Sequence, residues 1–222
     1  MSEHDPDDEL EFSEELEEQW AAEWDQADRD AVEVLREALS QYQGQPPPAS
    51  ELTVAADTVR SRLHEGGGYP LDWVREAAGV SNDPAITDDA ELLIQLTAAT
   101  ISPLEETGLD IEEEALLMSL EHADWLGAIV SAVRGGPGAE VSPGALVDGI
   151  RDCPEVNTDD GIDFDEASHL EAAFSIIALP WHGLGLSDSE ERLTELGQWT
   201  LPRALARAWQ GSFDDESGGE TS

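Results

Sequence analysis

Pro180-Trp181-His182-Gly183-Leu184-Gly185-Leu186, followed by Ser187-Asp188-Ser189-Glu190-Glu191 and then Arg192-Leu193-Thr194, is the stretch that decides how this chain folds. Ahead of it, Asp165 to Leu179 has helical character, with Phe174, Ile176, Ile177 and Leu179 as its apolar content. Pro180 cannot donate a backbone hydrogen bond, so the helix is expected to stop before it. Two short strands joined by the acidic turn Ser187 to Glu191 fit the gap. Thr194 stands where it can cap a following helix, and Pro202 is placed to kink that helix or to begin another at its first turn.

Helix, small hairpin and helix are how a winged-helix module ends, with residues 187–191 as the wing. The expected fold class is therefore mainly α: a helical body over 19–151 and a small winged-helix-like subdomain, α plus a short β-hairpin, over 164–211. Leu193-Thr194-Glu195-Leu196-Gly197-Gln198-Trp199 resembles a segment that closes winged-helix-like regions in uncharacterised proteins of high-GC actinobacteria. The broader stretch 108–211, with Glu121-His122-Ala123-Asp124-Trp125-Leu126 and Arg203-Ala204-Leu205, resembles the same group over about half the chain. The resemblance implies a fold fragment and no particular activity. The wing here is acidic, where DNA binding would favour a basic one.

Upstream, an apolar stripe at intervals of three and four begins near Ser13 and runs through Trp20, Trp24, Ala27, Ala31, Val34, Leu35 and Leu39. Gly44 and the prolines Pro46 to Pro48 end it and form a stiff connector. A helix is predicted over Ala49 to Leu63 with Ser50 as its cap, stopped by Gly66 to Gly68 and Pro70. Short helices follow at Leu71 to Ala78 and Asp88 to Thr100. Over Leu109 to Val133, apolar residues surround most of the helical wheel, leaving Glu113, Glu114, Glu121 and Asp124 as a narrow polar strip, so this helix is expected at the centre of the core. Ser142-Pro143 reads as cap and first turn of a helix to about Arg151, and Cys153 to Asp163 as a polar connection. Residues 1–18 and 212–222 read as acidic, solvated tails.

Of 222 residues, 51 are acidic and 10 are basic, giving a net charge of -41, and every basic residue is arginine. Without lysine there is no phosphate-binding loop ending in Gly-Lys-Ser/Thr, no Schiff-base lysine and no lysine general base. Duplex DNA and anionic membranes repel such a molecule as a whole. Either adaptation to concentrated salt or an acidic face presented to a basic partner accounts for the charge. Hydrophobic residues at 40% still allow a packed core. The single cysteine, Cys153, permits no intrachain disulfide and no multi-cysteine zinc site. With no signal-like amino terminus and no long apolar run, a cytoplasmic location away from membranes is expected.

No catalytic signature emerges. The histidines His4, His64, His122, His169 and His182 include no i, i+4 pair of the kind that binds metal on one helix face. His122, on the apolar side of its wheel near Ile129 and Val133, is the one candidate for a chemical role, against the simpler reading of a structural hydrogen bond. The acidic run 157–165 fails as a calcium loop: with Gly161 at the required glycine, Val156 and Ala167 fall where carboxylates belong. Cys153, beside Pro154, has a nucleophilic thiol and no evident base. Trp125 and Trp199 fit core packing. No metal and no cofactor is expected.

The function that fits best is a non-enzymatic regulatory or protein-interaction protein, DNA-mimic-like, that binds a basic protein partner through Glu17, Glu18, Trp20 and Trp24. A winged-helix transcription regulator contacting DNA through Arg192, Arg203 and Arg207 is the alternative. Between Glu195 and Asp214 there is no acid, so Arg203 and Arg207 stand in a basic island, although neutralising the acidic body is the plainer use of them. An enzyme centred on His122 is the third reading.

Overall fold

The computed structural model describes residues 40–41, 44–101, 122–153 and 164–208. Seven helices carry the described fold: α1 Ala49–His64, α2 Leu71–Ala77, α3 Asp89–Ile101, α4 His122–Gly135, α5 Pro143–Arg151, α6 Phe164–Leu184 and α7 Glu195–Ala208. The mainly α expectation holds, and, the carboxyl end of α6 apart, the described helix borders that can be compared fall within a few residues of those predicted. None of the described helices is long and apolar enough to cross a membrane. The acidic tails and the stripe from Ser13 to Leu39 lie outside the described residues, as does the amino-terminal part of the predicted 109–133 helix.

Local chemistry sets most ends. Asp88 caps α3, its carboxylate accepting from the Glu91 amide at 2.9 Å. The Ser142 hydroxyl accepts from the Ala145 amide at 3.4 Å with Pro143 in the first turn of α5, as the sequence predicts. At α1 the cap differs: Pro48, not Ser50, occupies the N-cap position and makes no side-chain cap bond. The Pro48 carbonyl already accepts from Glu51 and Leu52, which places Ser50 inside the first turn.

The largest departure is in α6. Pro180 lies within the helix, which runs one more turn to Leu184. Losing the Pro180 N–H sacrifices one intrahelical bond. Against that loss, the extra turn buries Trp181 and Leu184 completely or nearly so, and full burial of a large apolar side chain contributes about 1.5–3 kcal/mol. Gly185, at φ 80°, is the actual stop. The Leu186 amide donates back to the Trp181 carbonyl at 2.8 Å and the Gly185 amide to His182 at 3.1 Å, a Schellman ending.

The expected hairpin is correspondingly reduced. Ser187 faces Leu193 and Glu140 faces Arg192 in isolated antiparallel bridges, and no strand ladder forms among the described residues. Helix α6 consumes the residues that would have made the first strand. What remains is a narrow strip in which residues 138–141, 186–188 and 191–194 lie side by side. It is held by Gly138 N–H to Leu193 O, Leu193 N–H to Ala139 O and Thr194 N–H to Leu186 O, at 2.7–2.9 Å.

The helices share one core, which extends from Ala56 in α1 to Leu205 in α7. The most extensive pairing joins α3 to α7, followed by α4 with α5 and α5 with α6. Helices α4 and α5 meet closely at Gly149, whose carbonyl accepts from the Ser131 hydroxyl at 2.7 Å. Ala128, Ile129, Val130, Ala132 and Val133 of α4 are buried as predicted, but α4 packs mainly on α5 and α7, whereas α3 packs on α1, α2, α6 and α7 and takes the central place among the described helices.

Candidate functional site

Where α6 ends, the chain builds a turn whose shape is fixed by one carboxylate. Asp188 accepts from the backbone amides of Glu190 at 2.8 Å and Arg192 at 3.0 Å. Those amides, Arg192 first and Glu190 second, hold the Asp188 carboxyl below the usual carboxylate range. Glu191 takes a left-handed conformation at φ 56°, which lets the chain reverse and return Leu193 to the core. Thr194 then closes the unit: its hydroxyl donates to the Gly185 carbonyl at 2.7 Å and accepts from the Gly197 amide at 3.0 Å, so the predicted cap of α7 is present.

Beside this turn lies an open cleft of about 470 Å³. One wall is the carboxyl-terminal half of α6, with Ser175, Leu179 and His182 spaced at helical intervals along it. Val141 and Pro143, leading into α5, form the second wall, and Asp188, Ser189 and Glu191 of the turn form the rim. Leu179, counted from sequence as apolar content of its helix, is 50% exposed and faces the cleft instead of the core. In sequence, the only sign of this face is the flanking of Leu179 by Ser175 and His182 at helical spacing.

The arginines proposed for DNA contact are spread over separate tasks. Arg192 donates to the Gly138 carbonyl at 3.2 Å and pairs with Glu190 at 3.5 Å. Arg203 donates to the Trp199 carbonyl at 2.7 Å and stacks over the Trp199 ring, 4.6 Å from its centroid, and burial lowers its pKa from the ordinary arginine value. Arg207 pairs with Glu91 of α3. The basic island of α7 is thus turned onto the protein's own surface.

Glu17, Glu18, Trp20 and Trp24 lie outside the described residues. So do the side chains of His122 and Trp125 and the acidic run 157–163. Among the described residues, no group of three His, Cys, Asp or Glu side chains stands together as a metal would need. Cys153 is 2% exposed and belongs to the core, its amide donating to the Ile150 carbonyl at 3.2 Å, so the reactive thiol considered from sequence is shielded. Trp199 is buried as anticipated, and Trp181 is fully buried.

No family model, curated protein or solved structure matches this chain. Its chemistry therefore has to be read from its own residues.

Proposed function

We propose that the protein is a non-enzymatic regulatory or interaction protein whose acidic surface engages a basic protein partner, in the manner of a DNA mimic. The observation that carries this reading is the divided fate of charge around α6 and α7: Asp188, Glu190 and Glu191 are exposed at the turn, while Arg203 and Arg207 are committed to Trp199 and Glu91. A surface with exposed anions and occupied cations attracts basic proteins and repels duplex DNA. The net charge of -41 acts in the same direction over long range.

The order of α4, the 138–141 segment, α5, α6, the turn and α7, with bridges joining the three extended segments, supports a winged-helix-like platform for this surface. In that arrangement the 187–191 turn takes the wing position and the exposed side of α6 the place of a recognition helix. The turn carries the wrong charge for a phosphate backbone, and the exposed side of α6 offers it no arginine among the described residues. Glu17, Glu18, Trp20 and Trp24 would extend the contact at the amino-terminal side.

Affinity capture of the tagged protein from its native host, with and without nuclease, tests the proposal. One basic protein recovered at equal yield in both conditions supports it. Recovery of DNA-associated proteins that nuclease abolishes overturns it in favour of a winged-helix transcription regulator, and an empty capture overturns it as well.

A further inference from the structure

We infer that the cleft between α6 and the 187–191 turn is a docking groove for a short basic peptide segment that inserts one apolar anchor side chain. The inference rests on the proposed interaction with a basic protein and gives that interaction a place and a recognition rule.

Three features of the cleft point to this occupant. Its two walls carry apolar side chains, Val141 and Pro143 on one and the half-exposed Leu179 on the other. An exposed leucine inside a concavity gains from an apolar partner in a way that one on a convex surface does not. The rim is anionic: Asp188 and Glu191 stand on it, no arginine lines the cleft among the described residues, and the nearby Arg192 is engaged with Glu190 and Gly138. The rim is also pre-shaped, because the amides of Glu190 and Arg192 fix the Asp188 carboxylate, so little conformational freedom is lost on binding. Apolar walls and a fixed anionic rim complement an Arg- or Lys-flanked leucine. They discriminate against an acidic segment, such as the amino-terminal stretch of this same chain.

The test uses the full chain in fluorescence anisotropy titrations with two labelled peptides, Arg-Arg-Leu-Arg-Arg and Arg-Arg-Ser-Arg-Arg. The leucine peptide is expected to bind about tenfold or more tightly than the serine peptide, the change that burial of one such side chain supports. Leu179→Ser should bring the leucine peptide down to the level of the serine one, and Ser189→Arg should weaken both through like charge on the rim. Leu179 and Ser189 are surface positions, and circular dichroism verifies that each variant keeps its helices. Equal binding of the two peptides, unchanged by Leu179→Ser, overturns the groove while leaving the acidic-surface reading standing. Binding of neither peptide at low salt overturns both.

Discussion

The indole N–H of Trp181 donates to the hydroxyl of Thr100 at 3.0 Å, joining residues 81 positions apart in the interior of the protein. Thr100 in turn donates to the Thr97 carbonyl at 2.7 Å, and the Thr97 hydroxyl to Leu93 at 2.7 Å, so the last turn of α6 is tied into the backbone of α3. This connection carries α6 past its proline.

Thr100→Val removes the acceptor and leaves a buried indole N–H unsatisfied, at a cost of about 1–3 kcal/mol. Urea denaturation should show a lower midpoint with unchanged slope. Adding Trp181→Phe to Thr100→Val should cost less than the sum of the two single changes, because the donor and acceptor then disappear together. Strict additivity would show that the bond contributes nothing.

Gly197→Ala should destabilise by about 1–3 kcal/mol, as overpacking of a tight site does. A Cβ at this position runs into the Leu186 carbonyl, and Leu193 Cδ1 lies 2.7 Å away. Both neighbours belong to the narrow strip beside α7 and have little room to withdraw. A thermal melt at unchanged Tm would contradict this packing.

Raising NaCl from 0.1 M to 1 M should raise Tm, since the Debye length falls from about 10 Å to about 3 Å and the self-repulsion of a chain with net charge -41 is screened. Scanning calorimetry across that range reads the effect. A salt-insensitive Tm would mean that the acids are spaced widely enough not to oppose folding.

Asp89 gives a pH dependence of the opposite kind to that general repulsion. Hydrogen bonds from Thr53 first and Arg60 second hold its carboxyl below the ordinary value of 3.8. Its stabilising contribution is therefore complete above the unfolded-state pKa and is lost as pH falls through the lower folded value. The stability difference between the native chain and Asp89→Asn should be constant near neutrality and shrink on acidification below about pH 4. Denaturant titrations between pH 3 and 7 isolate this difference from the repulsion that both chains share.

Arg207→Gln should lower stability by less than about 1 kcal/mol, because the pair it makes with Glu91 is partly exposed. Gel shifts with duplex DNA at low salt should show no complex with either the native chain or this variant. A native complex that the substitution weakens would restore α7 as a nucleic-acid contact.

The helices were legible where a stripe and a local stop signal agree. Ser142-Pro143 and Thr194 act through neighbours a few residues away, so their cap bonds follow from sequence directly. Pro180 was misleading because its cost is local, whereas the gain from Trp181 is made with Thr100, far off in the chain. The cleft was illegible for a related reason. Leu179 is indistinguishable by residue type from the buried Ile176 and Ile177, and only the placement of the turn and the 141–143 segment leaves it at the mouth of a concavity. The arginines of α7 looked like a basic island because sequence adjacency counts nearby acids, while Arg207 finds Glu91 from another helix.

The pairing of α3 with α7 also orders the assembly of this core during synthesis. Leu92, Leu93 and Leu96 are synthesised well before Leu201 and Leu205 of α7. While the chain is still emerging from the ribosome, α3 has yet to meet its most extensive partner. A nascent or truncated product ending before Glu195 therefore offers that uncovered apolar side of α3 to chaperones and proteases.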